Sequence, residues 1–321
     1  MNGHGDVEGD EGRYEGDDGR RRAISACVED PKKSLRKEAW QMQEERDGEV
    51  SNPGPESPES ATAPFEGDLQ DPWSCDVEGQ LIVETINITA VSTNQRQLCE
   101  RKPHVAGFQE HGAVGKAASA AIQTAKDQRW CMALGPVDPE LGRNIGGVGM
   151  QTRKPLMPLP YKAITKAFEI AVTTGRVMIY ELDVDGNGIM IAVIYGWTGG
   201  VKGSVACQRT DDLLAATRAE MDANPNGPQL IMGDINGDLV NFHTALDMLC
   251  NGGWSDLASL AHLCEDGPNQ PTCHARAAAN SSRRDYVIAN DMALPAITGF
   301  RVNSTDEFPT HQPVQIKMNT T

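Results

Sequence analysis

Asp234 and Asn236 stand two residues apart in Gly233-Asp234-Ile235-Asn236, directly after the apolar run Gln229-Leu230-Ile231-Met232. Side chains at i and i+2 of an extended segment point the same way, so a carboxylate and a carboxamide at this spacing can address one reacting group. Gly-Asp and Asn-Gly are also ordinary turn chemistry, which leaves the tetrapeptide open to a bland reading by itself. Other polar phrases surround it in order. Thr85-Ile86-Asn87-Ile88-Thr89 lies within the apolar stretch 81–91, and His104-Val105-Ala106-Gly107-Phe108-Gln109-Glu110 ends in a carboxylate. Ile194-Tyr195-Gly196-Trp197 precedes the tetrapeptide; Ser282-Arg283-Arg284-Asp285-Tyr286 and Pro309-Thr310-His311-Gln312-Pro313 follow it. Each polar residue sits at or near the end of an apolar segment, and in layered α/β folds such ends are where sites assemble.

This order resembles the endonuclease/exonuclease/phosphatase superfamily, the DNase I-like metal-dependent phosphoesterases. Their phrases read roughly as strand-Asn, Gln-Glu, Tyr before a loop, Gly-Asp-Phe-Asn, Arg-x-Asp-Tyr and Ser-Asp-His-x-Pro. The resemblance covers about residues 80–318. Gln109-Glu110, Gly146-Gly147-Val148-Gly149, Gly253-Trp254-Ser255-Asp256 and Arg284-Asp285-Tyr286 are closest in flavour to endonuclease domains of non-LTR retrotransposons. The sequence departs from the pattern at Thr310, where the family has Asp, and at Pro309, where it has Ser. A hydroxyl cannot supply a carboxylate's charge to a metal or its waters. Thr198 replaces an Asn usual in the repair nucleases, and Thr89 stands where some relatives carry an acid.

The resemblance implies hydrolysis of a phosphodiester by in-line attack of water, with Mg2+, or Mn2+ in its place. Glu110 is the expected metal ligand, with Asn87 beside it in the floor of the site. A hard ion takes carboxylate oxygens and keeps several waters, so one or two protein carboxylates suffice. Asp234 is expected to orient or deprotonate the attacking water, and Asn236 to donate to a phosphate oxygen. His311 would bind the phosphate or shuttle a proton, with Asp285 fixing its tautomer. Tyr195 would stabilise the phosphate or leaving oxygen. Trp197 is open to base stacking or core packing, and Thr310 to a hydrogen bond with a metal-bound water. The bland readings remain beside these: a strand-closing Glu, a turn Asx, an outward-facing Asn and a capped His.

Composition divides the chain. Residues 1–80 hold 21 of its 45 acidic and 9 of its 29 basic side chains, within a net charge of −16. That segment is rich in Gly, Glu, Asp, Arg, Ser and Pro and cannot bury enough apolar surface to offset its ordering entropy. Residues 1–78 are expected to be a disordered acidic tail, with a transient helix around 33–46, and residues 79–321 one large α/β domain. No stretch approaches the roughly 18 apolar residues of a membrane span. The acidic, Gly-rich start is unlike a secretory signal, so an intracellular protein, nuclear or cytoplasmic, is expected. The eight cysteines form no Cys-x-x-Cys pair, which favours free thiols. Asp183-x-Asp185-x-Asn187-Gly188 imitates a calcium loop, but Ile194 takes the position that needs an acid, so hairpin turn chemistry is the reading.

Strands are expected near 81–91, 104–108, 130–134, 146–152, 176–184, 189–194, 229–232, 286–289 and 314–317, and helices near 95–101, 113–128, 211–223 and 239–249. Pattern alone gives mixed α/β. The resemblance implies a four-layer α/β/β/α sandwich of two mixed sheets flanked by helices. The leading functional expectation is a DNA endonuclease of retroelement type, monomeric, acting on DNA and not on membranes, and a free-standing or truncated domain. The acidic balance requires any nucleic-acid face to be locally basic. Arg143, Arg153, Lys154, Lys162, Lys166, Arg283 and Arg284 are the candidates, a bland solvated surface being the competing reading. The alternatives are a phosphatase or phospholipase of the same fold, or a catalytically weakened binding remnant. Ser282 to Asp285 does not match the Trp-Cys-Asp-Arg phrase of inositol phosphatases.

Overall fold

A computed structural model describes residues 79–140, 145–184, 186–274, 281–305, 307–308 and 310–320. The tail expected at 1–78 and its transient helix lie outside these residues, as do Arg143, Asp185 and Pro309.

Among the described residues, twelve strands form two six-stranded mixed sheets. In the first, β11 (Ile297–Val302), β12 (Val314–Asn319), β1 (Gln80–Asn87), β2 (Val105–Gln109), β4 (Val148–Arg153) and β3 (Trp130–Leu134) lie side by side in that order. In the second the order is β5 (Leu159–Pro160), β6 (Val177–Val184), β7 (Asn187–Tyr195), β8 (Gln229–Asp234), β10 (Asp285–Asn290) and β9 (Trp254–Asp256). Among these twelve strands of the described residues, β1/β2 and β7/β8 pair parallel and the other neighbours antiparallel. Helices α1 (Val91–Glu100) and α2 (Gly115–Asp127) belong to the first sheet's outer layer, and α3 (Lys166–Thr173), α4 (Val205–Asp222) and α5 (His243–Asn251) to the second's.

The strands' period of two builds the layers. Leu81 and Val83 of β1 meet Ile191, Val193, Leu230, Met232 and Val287 in the core between the sheets. Ile86, Ala106 and Phe108 turn the other way, against Leu98 and Ala121 of the first helical layer. Ile194, Ile231 and Ile288 pack under Leu213, Leu214 and Met248 of the second. The four layers are the expected sandwich.

Local chemistry shifts several expected boundaries. The helix expected at 211–223 begins at Val205, because the Ser204 hydroxyl accepts from the Cys207 amide and caps it. That expected at 239–249 is broken at Phe242, which is extended and fully buried; a 3-10 turn at Leu239–Asn241 precedes it and α5 follows. Helix α3 was not anticipated. Its Thr165 cap is held by the buried Glu220 carboxylate, which accepts from the Thr165 amide at 2.8 Å and places negative charge at the helix start. Six cysteines are free among the described residues, two of them buried.

Candidate active site

The inter-sheet face carries the site. Asn87 shares the alternation of Leu81 and Val83; Tyr195 that of Ile191 and Val193; Asp234 that of Leu230 and Met232; Asp285 that of Val287 and Ala289. These are positions where hydrophobic core would continue, and all four lie at strand ends. Asp234 is paired in register with Tyr195 on one side and Asp285 on the other. The parallel neighbours β1 and β2 align Asn87 with Gln109, one residue before Glu110. Close approach of β7 and β8 dictates the glycines. A Cβ on Gly233 would stand 2.0 Å from the Ile194 carbonyl oxygen, and one on Gly196 2.2 Å from that of Ile235.

The chain then turns sharply. Thr89, Glu110 and Asn236 have φ of 60°, 62° and 55°, values costly for non-glycine residues and typical of functional strand ends. Two of these turns are closed identically. Asn87 Oδ1 accepts from the Thr89 amide at 3.0 Å, and Asp234 Oδ1 from the Asn236 amide at 2.9 Å. Strand alternation therefore does not align Asp234 with Asn236, contrary to the i, i+2 expectation. The strand ends at Asp234, and an Asx turn brings Asn236 to the site. Turn role and site role coexist, because Asp234 uses Oδ1 for the turn and Oδ2 for the site.

The Asn87 amide nitrogen donates to Glu110 Oε1 and to Asp234 Oδ2, each at 3.0 Å. The Tyr195 hydroxyl donates to Glu110 Oε1 at 2.5 Å. On the other side, His311 Nε2 is 3.7 Å from Asp234 Oδ2, while its Nδ1 is 2.9 Å from Asp285 Oδ2. Asp285 Oδ2 also accepts from the Thr272 hydroxyl at 2.7 Å. Glu110, Asn87, Tyr195, Asp234, His311 and Asp285 thus form one connected buried chain. Asn236 Nδ2 donates to the Gly196 carbonyl at 3.1 Å, keeping this residue at the rim of the same site. Among the described residues, Thr310 is joined to the structure through its carbonyl, which accepts from the His274 amide.

Burial sets the electrostatics. It pushes the Asp234 carboxyl up to about 7, helped by Asp285 and Glu110 and opposed by His311 and Asn87. His311 moves the other way. Burial disfavours its charge, but Asp285 and Asp234 outweigh that and raise it to about 10, so the imidazole is a cation between two carboxyl groups. Three carboxyl groups converge with one imidazole, and Asp285 Oδ1 is buried without a hydrogen-bond partner. Ligating atoms of Asp234, Asp285 and His311 lie within 4.8 Å of one another. A protonated imidazole offers a metal no lone pair, so the donors that fit a hard divalent cation are the carboxylate oxygens of Glu110 and Asp234, which share the Asn87 amide. His111, next to Glu110, is not part of the chain: burial holds it neutral, down to about 4, and its Nδ1 accepts from the Ala113 amide.

No family model and no curated protein sequence matches the chain. Solved structures do. The 3'-5' exonuclease NExo from Neisseria meningitidis superposes with a TM-score of 0.59 at 16% identity, over 74% of this chain and 100% of that one. The catalytic domain of APE2 from Xenopus laevis gives 0.57 at 12%, over 74% and 92%, and an AP endonuclease from Archaeoglobus fulgidus 0.54 at 14%, over 74% and 98%. The chain has the DNase I-like fold.

Several residues around the site were not found from the sequence. Arg176, at the foot of β6, is buried and ion-paired with buried Asp138 at 2.8 Å. Its Nη1 donates to the Gly196 carbonyl at 3.0 Å, and its guanidinium lies 4.6 Å from the ring centroids of Tyr195 and Trp197. Arg209 lies 4.4 Å from the Trp197 ring, so Trp197 packs among guanidinium groups. Thr272 fastens Asp285 by accepting from its amide and from that of Arg284, both at 3.0 Å. On the far side of β1, buried Glu84 takes two bonds from Arg101, at 2.5 and 2.6 Å. Arg101 also binds Glu307 and lies over Phe308, which ties down the segment leading to His311. Only the order Gly-Arg in Gly175-Arg176, ahead of a β-rich run, could have drawn attention to Arg176. Among the described residues, no helix is long and apolar enough to cross a membrane.

Proposed function

We propose that the protein hydrolyses phosphodiesters with a divalent cation, Mg2+ or Mn2+, and that its substrate is DNA, cut internally. The carrying observation is Asp234, held at the end of β8 between the Asn87 amide and the His311–Asp285 pair. Asp234 accepts the proton of the attacking water, and a carboxyl raised to about 7 is a matched base near neutral pH. His311, kept protonated by Asp285, donates from Nε2 to a non-bridging phosphate oxygen and stabilises the charge that builds there. Asn236 donates its second amide hydrogen to the same phosphate. Glu110 would hold the cation, oriented by Asn87 and Tyr195. When bound, the cation would neutralise phosphate oxygens and stabilise the leaving oxygen. The leaving oxygen departs as the P–O bond opposite the water breaks.

Support comes from the fold, since the structural neighbours carry nuclease names and one, described as a 3' phosphatase, was solved with a product DNA hairpin. The retroelement assignment rests on the sequence phrases Gln109-Glu110, Gly146-Gly147-Val148-Gly149, Gly253-Trp254-Ser255-Asp256 and Arg284-Asp285-Tyr286 alone. Thr310 favours a second reading, a weakened remnant that binds without cutting. Nicking of supercoiled plasmid separates them. Cutting with Mg2+ that stops in EDTA and in Asp234→Asn supports hydrolysis; intact plasmid with folded wild-type protein, in Mg2+ and in Mn2+, refutes it.

A further inference from the structure

Arg283 and Arg284 are adjacent in sequence and opposite in circumstance. The Arg283 guanidinium is pinned: it pairs with Asp256, donates to Asn269 Oδ1 at 2.5 Å and lies 4.2 Å from the Tyr286 ring centroid, with its Nε buried and unbonded. Arg284 is half-buried, and among the described residues it forms no ion pair. Its Nε donates to the Ser282 hydroxyl at 3.2 Å, and its Nη1 reaches Asn236 Oδ1 at a long 3.4 Å. The β10 start fixes this position, because the Arg284 amide is bonded to Thr272 and its carbonyl accepts from the Ile235 amide. A cation is thus held at the rim of the site, beside the residue that closes the Asp234 turn, with donor capacity left over.

Both arginines line a groove of about 580 Å3 that opens from Asn236, within the size range of ligand clefts, about 300–1,000 Å3. Val201 and Val240 line it too, 70% and 60% exposed. The groove's two acids are engaged, Asp256 by Arg283 and Asp238 by the Val240 amide at 3.2 Å. Residues 81–321 hold 24 acidic against 20 basic side chains, no general excess of cations, so cations placed at the site must supply the attraction for a polyanion.

We propose that Arg284 is a substrate-phosphate contact: its guanidinium binds the phosphodiester presented to Asp234 and Asn236, and the strand continues along the groove past Val201 and Val240. This deepens the hydrolase reading and rests on it for the identity of the anion. Arg283, by contrast, is a scaffold residue.

The test uses the full chain and a fluorescent DNA oligonucleotide, single-stranded and duplex, in EDTA across a series of salt concentrations. Arg284→Gln is expected to weaken binding about tenfold or more at low salt and to reduce the slope of log K against log salt by about one, while Arg284→Lys keeps the slope. A purely structural role would lower the melting temperature and leave the slope unchanged. An unchanged slope and affinity in folded Arg284→Gln overturns the proposal. Outcomes in Mg2+ keep the two readings apart. Arg284-dependent binding with no nicking by wild type removes hydrolysis and leaves this contact standing. Nicking undiminished in Arg284→Gln does the reverse, and wild type that neither binds nor nicks DNA overturns both.

Discussion

Asn87→Leu removes two charge-assisted hydrogen bonds while keeping the side chain's heavy-atom count and branching. The Asn87 amide is the donor between Glu110 and Asp234, at 3.0 Å from each, and both carboxyl groups are buried, 6% and 1% exposed. A hydrogen bond to a charged group contributes about 1.5–3 kcal/mol, so the two together set a gross loss of about 3–6 kcal/mol. Protonation relieves part of it. Asp234 already sits at about 7 because of burial, and Asn87 is one of the groups holding it down. Without Asn87 its folded pKa rises further. A carboxyl whose folded pKa exceeds its unfolded value binds extra protons in the fold, so stability falls with pH across that window. In the variant the window extends above 7. The destabilisation is therefore smallest near pH 6 and grows toward pH 9. Urea unfolding in EDTA at several pH values measures it, and the acid limb of the nicking profile should move to higher pH in parallel. A stability difference that stays flat from pH 6 to 9 would refute the reasoning.

Three other outcomes follow from the structure. His111 is held neutral at about 4 by burial, against an unfolded value near 6.5, so the unfolded chain binds more protons between those values and the fold loses stability as pH falls through them; His111→Gln should flatten that acid-side loss in urea titrations without metal. Arg176→Leu strands the buried Asp138 carboxylate and should cost about 3–5 kcal/mol, whereas Arg176→Leu with Asp138→Leu should recover much of it in a double-mutant cycle. Thr310→Asp returns a carboxylate beside His311, and nicking should rise if the missing acid limits the wild type; an equal or lower rate removes that explanation.

The candidate cluster was legible through the order of its phrases at the ends of apolar runs, and strand alternation is what brings those phrases together. Asn87, Tyr195, Asp234 and Asp285 interrupt inward-facing apolar positions, and a polar residue there is either expensive or functional. What alternation cannot carry was missed or misplaced. Asn236 arrives by an Asx turn, which no period describes. Arg176 and Asp138 meet across 38 residues, and Thr272 reaches Asp285 from a separate loop, so neither partnership leaves a local pattern. Strand β9 has only three residues, too few to show alternation, and β11 holds Gly299 at a register shift. The 239–249 helix was misjudged because apolar spacing continues through Phe242 while the backbone does not. The tail, outside the described residues, stays a compositional expectation.

Cation binding tests the central claim without requiring catalysis. Titration of Mn2+ into the metal-free protein, with free ion followed by electron paramagnetic resonance, should reveal a saturable site in wild type that is lost or sharply weakened in Glu110→Gln, while Glu169→Gln, on the exposed face of α3, leaves it intact. Wild-type protein that is folded yet takes up no Mn2+, or binds it equally well after Glu110→Gln, would contradict the account.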